Sequence, residues 1–188
     1  QHTNFKLTQT KGNEYIILSD PSGLILDSIL LNTPNKPNHS RGRITDGAST
    51  WGIFDDPTEG ASNTGALDKY ADMVVFSVAP GAYPSAQTIT LSTTEPNSEI
   101  RYTTNGSVPT TASTLYTSPI NVNATTVIKA RTYSNNPQVL SSHTETNSYF
   151  INEGHSLKII SVSGNNVPTL FNGSQIEPLG AFELFEID

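Results

Sequence analysis

Side chains capable of acid–base, nucleophilic or metal chemistry are few in this sequence and stand far apart. The chain has four histidines and no cysteine, and no two histidines have the short spacing that brings metal ligands together on one helix or hairpin. The adjacent carboxylates Asp55 and Asp56 would point to opposite faces of an extended strand. The acidic stretch 46–56 could offer oxygen ligands to calcium, although its spacing fits no known calcium loop. No serine lies in a G-x-S-x-G turn. We therefore predict no catalytic residue, no metal site and no cofactor, and we expect that this chain is not an enzyme.

Four tyrosines offer a different chemistry, which is the stacking of an aromatic face against a sugar ring. Their positions are Tyr83, Tyr102, Tyr116 and Tyr133. The competing interpretation is that Tyr102 and Tyr133 fill a protein core and leave their hydroxyls at its rim. Tyr83 and Tyr116 are the better candidates for exposure, and they are the predicted carbohydrate-binding residues.

Three runs with apolar side chains at alternate positions surround these tyrosines and predict β-strands. They are Thr88–Ser92, Glu99–Thr103 and Val127–Tyr133. Clusters of Pro, Asn, Gly and Ser separate the runs and are typical of turns. Short strands at this spacing, with almost no helical pattern, predict an all-β fold of the immunoglobulin-like antiparallel β-sandwich type, flanked here by β-rich partial domains.

The same stretch resembles the small C-terminal domain of chitobiases and β-hexosaminidases. The shared motifs are Pro-Gly-x-Tyr, TITLST, IRYTTNGSVPT, LYTSPI and VIKARTY, which together cover roughly residues 78–134. In that family the domain is an accessory module, and the sugar-cleaving carboxylates lie in a separate domain. The resemblance therefore implies a sandwich without catalysis, and we assign residues 78–150 to it.

The sequence pattern of residues 1–77 predicts a smaller β region. Two apolar runs flank the tight-turn sequence Asp-Pro-Ser-Gly at 20–23. Trp51 and Phe54 are the large aromatics of a polar loop and are expected to cap a small core; an exposed binding platform at Trp51 is the alternative. The LSDPSG hairpin, the NHSRGR loop and the later D-G…W…F pair resemble the end of a lamin-tail-like domain, although Glu59 stands where that family usually has proline.

Two arginines in this region could bind an anion. Arg41 and Arg43 have the spacing to clamp a phosphate or a carboxylate. Asp46, Asp55 and Asp56 are close in sequence, so internal ion pairs are the favoured interpretation.

Residues 151–188 predict two further strands. Leu157–Val162 is an apolar run, and Ala181–Ile187 alternates apolar with acidic side chains, which predicts a strand with an acidic face. The run YFINEGHSLKIISV followed by FELF resembles the opening of spore-coat CotH kinase-like domains, whose catalytic residues would lie beyond this chain. Lys158 stands where that family usually has proline. Longer relatives carry a lamin-tail, a chitobiase-type and a CotH-like domain in this order.

Charge and hydropathy limit the partners. The 10 basic and 17 acidic residues give a net charge of −7, and the absence of a basic cluster argues against nucleic-acid binding. No apolar run is long enough to predict a membrane span.

We predict a non-catalytic structural or interaction module of a secreted or cell-surface bacterial multidomain protein, such as an adhesin. Its expected partners are neighbouring domains of the same polypeptide, together with polysaccharide or other cell-surface components. The alternatives are a carbohydrate-binding module and the N-terminal part of a CotH-like protein kinase.

Overall fold

The computed structural model describes residues 14–154, 157–167 and 180–186. The elements that these residues form are β-strands, which confirms the predicted all-β class. The chain divides into two compact units, Gln1–Leu67 and Asp68–Asp188. In the described part of the chain, no helix is both long and apolar enough to cross a membrane.

The first unit opens with the predicted hairpin. Its strands are β1 (Glu14–Ser19), β2 (Ile25–Leu31), β3 (Ser40–Arg43) and β4 (Trp51–Phe54). The Asp20 carboxylate accepts hydrogen bonds from the backbone N–H groups of Ser22 and Leu24, at 2.8 and 2.9 Å. Gly23 has a φ of 90°, a conformation that glycine adopts without a steric penalty. The turn therefore closes β1 on β2 as the Asp-Pro-Ser-Gly sequence predicts.

The small core of this unit lies on β4. Ile53 and Phe54 are each 2% exposed, and Ile53 exchanges backbone hydrogen bonds with Leu67. A Cβ atom at Gly52 would lie 2.9 Å from the Leu67 carbonyl oxygen, so this close approach requires glycine. Phe54 fills the core as predicted, whereas Trp51 is half-buried with its ring 5.2 Å from the guanidinium carbon of Arg43.

The second unit is a sandwich with one large sheet. Its strands are β5 (Lys69–Tyr70), β6 (Val75–Phe76), β7 (Gly81–Tyr83), β8 (Gln87–Ile89), β9 (Leu91–Ser92), β10 (Ser98–Thr103), β11 (Thr114–Leu115), β12 (Ile120–Val122), β13 (Thr126–Ser134), β14 (Val139–Leu140), β15 (Glu145–Ile151), β16 (Ile159–Ser163) and β17 (Ala181–Phe185). The five-stranded sheet has the order β11-β10-β13-β15-β7. Its pairs are antiparallel except β15–β7, which is parallel. The remaining strands form two-stranded pairs, among them β8–β12, β6–β9 and β16–β17.

The core of the sandwich follows the alternation in the sequence. Buried apolar side chains from both layers form one cluster: Val74, Ile89, Leu91, Ile100, Val122, Ile128, Ala130, Tyr149 and Ile151. The predicted run 88–92 does not stay in one sheet. It divides at Thr90, so that β8 pairs with β12 and β9 pairs with β6. Thr90 and Ser77 exchange hydrogen bonds at the division, which satisfies the backbone groups that an interrupted strand leaves unpaired.

Candidate functional site

Tyr83 lies on the edge strand β7. Its ring is half-buried, packs against the core and lies 6.3 Å from the ring of the buried Tyr149. Its hydroxyl donates a hydrogen bond to the Ala79 carbonyl oxygen at 2.7 Å. The side chain therefore has a structural role, and only part of its surface is available to a ligand.

Tyr116 follows the opposite edge strand, β11. Its backbone N–H donates to the Ile100 carbonyl oxygen at 2.8 Å, which fixes the residue beside β10. Its ring meets that of Tyr102 at 6.4 Å in an edge-to-face arrangement, a geometry that favours aromatic pairs. Like Tyr83, it is half-buried and packs against the core.

The structure does not bring the two predicted sugar-binding tyrosines together. Tyr83 lies on one outer strand of the five-stranded sheet and Tyr116 directly follows the other. Neighbouring strands lie about 4.8 Å apart, so roughly 19 Å separates the two edges. One sugar ring cannot contact both side chains. Any binding at Tyr83 and at Tyr116 would use two separate positions.

The other two tyrosines have different surroundings. Tyr102 packs against the core as predicted. The prediction for Tyr133 is wrong, because this residue lies on the outer face of β13 rather than on the core face that carries Ile128 and Ala130. Its hydroxyl donates to the Pro109 carbonyl oxygen at 2.8 Å and holds that loop against the sheet.

A buried polar cluster lies on the outer face of the large sheet, and sequence reasoning missed it. Lys129 on β13 is opposite Thr146 on β15, and Ser148 is the next β15 residue on that face. The hairpin β16–β17 covers this area. Lys129 is only 2% exposed, and its ammonium group donates to the Ser163 carbonyl oxygen at 3.0 Å.

A carboxylate from the hairpin completes the cluster. Glu183 accepts hydrogen bonds from the backbone N–H of Ser148 at 3.1 Å and from its hydroxyl at 2.6 Å. The hydroxyls of Ser148 and Ser161 are 2.6 Å apart. We call this set the polar clamp; it consists of Lys129, Ser148, Ser161, Ser163 and Glu183.

Burial changes the proton affinity of two groups near this sheet. Desolvation lowers the pKa of Lys129, and the negative charge of Glu183 opposes that shift. On the core face, burial raises the pKa of Tyr149 to about 12, and its phenol donates to the Val78 carbonyl oxygen at 2.8 Å. A lysine of lowered pKa can act as a nucleophile, but Lys129 is covered by the hairpin. Its role here is to hold β16–β17 on the sheet.

The hairpin turns its polar side chains inward and its apolar ones outward. Opposite Ser161 stands Glu183, and both face the sheet. The alternate positions form what we call the apolar face: Ile160, Val162, Phe182 and Leu184, which are 59%, 38%, 65% and 52% exposed. Both predicted strands are confirmed. The acidic face expected for Ala181–Ile187 does not form: Glu183 faces the sheet in the polar clamp, Glu186 is exposed and pairs with Lys158, and Ile187 lies outside the described residues.

Within the described ranges, the internal ion pair that the sequence favours forms at Arg43 but not at Arg41, and its partner is not one of the predicted aspartates. Arg43 pairs with Asp27, at 2.6 Å, and not with an aspartate of the 46–56 stretch. Arg41 has no carboxylate partner among the residues that the structure describes, and its terminal nitrogen Nη2 reaches the Thr33 carbonyl oxygen at 3.4 Å. The reason is that Asp46 turns toward the backbone N–H of Asn63 instead.

No group of three or more His, Asp or Glu side chains in the described ranges could hold a metal ion. His2 and His155 lie outside those ranges. The two remaining histidines are His39, beside β3, and His143, whose ring contacts that of Tyr70 at 4.9 Å.

Comparison with known proteins identifies the middle of the chain. Residues 78–146 match the family described as chitobiase/beta-hexosaminidase C-terminal domain. The chain is also similar to an endoglucanase of Clostridium saccharobutylicum, with 40% identity over 65 residues that cover 35% of this chain and 14% of the endoglucanase. It thus spans only a small part of that relative. No solved structure gives a significant match. The chitobiase-type resemblance is confirmed, whereas the lamin-tail and CotH resemblances stay predictions.

Proposed function

We propose that this chain is a non-catalytic interaction module of an exported, multidomain bacterial protein. In this proposal the chitobiase-type sandwich holds the hairpin β16–β17, and the hairpin binds a neighbouring domain of the same polypeptide. The observation that carries the proposal is the orientation of the hairpin, with the polar clamp beneath it and the apolar face outside.

The polar clamp supports firm attachment of the hairpin. An isolated two-stranded hairpin is at best marginally stable in water. Here Ser148, Ser163 and Glu183 form hydrogen bonds between the sheet and the hairpin, and the rings of Phe150 and Phe185 meet edge-to-face at 5.3 Å. The hairpin therefore keeps a defined orientation relative to the sandwich, which an attachment point requires.

The apolar face supports the presence of a partner. Opposite pairs of side chains, Ile160 with Leu184 and Val162 with Phe182, form a continuous apolar surface. Monomeric proteins rarely expose contiguous apolar patches larger than a few hundred Å², and such patches often mark binding surfaces. The partner we propose is a following domain, because residues 151–188 resemble the opening of a longer domain.

The comparisons support an exported, carbohydrate-associated setting. The matched family takes its name from enzymes that act on chitin-derived sugars, and the similar Clostridium protein is an endoglucanase. Both names belong to carbohydrate-acting enzymes, which supports a secreted or cell-surface location for this chain. The family's accessory character supports a positioning role rather than a catalytic one.

Carbohydrate binding by the sandwich is a second candidate function. Tyr83 and Tyr116 retain partial exposure at the two sheet edges, and the family match covers both positions. Each ring could stack on one sugar unit of an extended polysaccharide. Since both rings also pack on the core, we rank this function below the interaction role.

The test of the interaction role is made in the full-length parent protein. We expect Phe182→Ser to separate the neighbouring domain from the sandwich, seen as a larger maximum dimension in small-angle scattering and faster proteolysis at the junction. Val75→Ser is the matched control, since Val75 is 60% exposed on β6, away from the apolar face. Unchanged scattering and proteolysis with Phe182→Ser would contradict the proposal.

The two candidate functions are separated by a pull-down on chitin, cellulose and bacterial cell-wall material. The interaction role predicts no retention of this chain. Retention that is lost in Tyr83→Ala or Tyr116→Ala, with unchanged circular dichroism, would instead assign the sandwich to carbohydrate binding.

A further inference from the structure

A cavity of about 380 Å³ opens in the first unit, beside β3 and the loop 57–63. Its volume lies in the lower part of the range observed for small-molecule sites. Of its nine lining residues, all except Gly42 and Pro57 have side chains that are capable of hydrogen bonding. We propose that this cavity binds a small, neutral, polyhydroxylated molecule of the size of one sugar unit. This site is separate from the tyrosines and from the hairpin discussed above.

The charges of the cavity favour a neutral ligand. Arg41 supplies one positive charge and Glu59 one negative charge, so neither an anion nor a cation finds a wall of uniformly opposite sign. An apolar ligand would leave both charged groups without solvent or a partner, which is unfavourable. Hydroxyl groups both donate and accept hydrogen bonds, and they match a wall of mixed donors and acceptors.

Arg41 provides an unused donor at this site. Its Nε is buried and has no hydrogen-bond partner among the described residues, and its Nη2 makes a single long bond to Thr33. Arg43, two residues away, is fully engaged by Asp27 and by the Ala48 carbonyl oxygen. Because Nε is shielded from solvent, the Arg41 nitrogen available to a ligand hydroxyl is Nη2, whose one hydrogen bond within the described part of the chain is long.

The walls of the cavity are held in place by the protein's own hydrogen bonds. The Asn63 amide nitrogen donates to the Arg43 carbonyl oxygen at 2.8 Å, and the Asn63 amide oxygen lies 3.4 Å from the Thr58 hydroxyl. A Cβ atom at Gly42 would lie 3.3 Å from the Phe54 ring, so glycine allows the strand to approach the core. A site with fixed walls loses little conformational entropy when a ligand binds.

The experiment is a titration of the complete chain, followed through ¹H–¹⁵N NMR shifts. The probes are glucose and N-acetylglucosamine as neutral sugars, and glucuronate as the anionic counterpart. We expect both neutral sugars to shift the amides of residues 38–42 and 58–63, with millimolar affinity because the cavity has no large aromatic ring to stack on. Removal of one hydrogen bond should weaken binding about fivefold, so Arg41→Gln and Glu59→Gln should each have this effect.

Lys36→Gln is the control, because it removes a nearby positive charge without changing the residues that line the cavity. Dispersed spectra of every variant will show that it is folded. Binding of glucuronate alone, strengthened by Glu59→Gln, would overturn the proposal in favour of an anion site. Absence of shifts in these two segments, or shifts confined to residues 78–146, would overturn it as well.

Discussion

Replacement of Glu183 by leucine is expected to release the hairpin β16–β17 from the sandwich. The substitution removes the acceptor of two hydrogen bonds from Ser148 and leaves Lys129 buried without the negative charge that offsets its desolvation. Leaving buried donors such as the Ser148 N–H and hydroxyl without an acceptor costs about 1–3 kcal/mol, and the lost attraction to the buried Lys129 ammonium adds to that cost. The measurable loss cannot exceed the free energy of docking, because beyond that point the hairpin dissociates and Lys129 becomes hydrated.

A double-mutant cycle with Lys129→Met isolates the interaction. The single variant Lys129→Met leaves Glu183 charged and leaves the Ser163 carbonyl oxygen without its donor. In the double variant no Lys129 charge is left to desolvate, so the loss of the Glu183 charge no longer costs stability at that position. We expect the double variant to be more stable than Glu183→Leu, with a coupling energy of about 2 kcal/mol.

Amide hydrogen exchange of β16 and β17 is the direct assay, because it reports local opening of the hairpin separately from global unfolding. Glu183→Leu should remove protection from these strands while β10 and β13 keep theirs, and the double variant should restore it. Urea unfolding of the four proteins supplies the free energies. If the two single changes are additive, or if Glu183→Leu leaves the exchange of β16 unchanged, then the polar clamp does not hold the hairpin.

Three further predictions concern single positions. First, the pKa of Lys129 is lowered in the folded chain, so the unfolded chain binds more protons than the folded chain between the folded pKa and the ordinary value near 10.4. The free energy of unfolding, relative to that of Lys129→Met, should therefore rise as the pH increases through that window. A fall in urea unfolding experiments would refute the lowered pKa of Lys129. Second, Phe182→Ser should change the free energy of unfolding of this chain by no more than about 0.5 kcal/mol, because the ring is largely exposed; a loss above about 1 kcal/mol would show that the apolar face is already covered within the chain. Third, Gly52→Ala should destabilise the first unit by about 1–3 kcal/mol, because the new Cβ meets the Leu67 carbonyl oxygen and the Ala66 side chain; Gly154→Ala, which adds a methyl in open space, is the control in thermal unfolding.

Local sequence pattern was sufficient for most of the longer strands. Alternation of apolar side chains located β10 and β13, and the Asp-Pro-Ser-Gly turn located the hairpin β1–β2. These features depend on near neighbours in the chain, through side-chain period and turn conformation. The division of run 88–92 at Thr90 could not be read in this way, because each half of the run follows a different distant partner strand.

The candidate sites likewise depend on contacts between residues that are distant in sequence. Tyrosine spacing suggested a sugar-binding surface, but strand order places Tyr83 and Tyr116 on opposite edges of the sheet. Closeness in sequence suggested ion-pair partners for the arginines in the 46–56 stretch, whereas the partner of Arg43 is Asp27 on β2. Sequence proximity does not determine which charges meet, because register and strand order bring remote residues together.

By itself, the sequence determined the all-β class, the chitobiase-type resemblance of its middle part and the alternation of side chains along its strands, since composition, turn residues and side-chain period act over a few residues. Only the tertiary structure decided that the hairpin β16–β17 turns its polar side chains toward the sheet and its apolar side chains toward solvent. The period of β17 shows that Glu183 and Phe182 point in opposite directions, but not which of them faces the protein. That choice depends on Lys129 and Ser148, which are distant in sequence and provide the hydrogen bonds and opposite charge that a buried carboxylate requires.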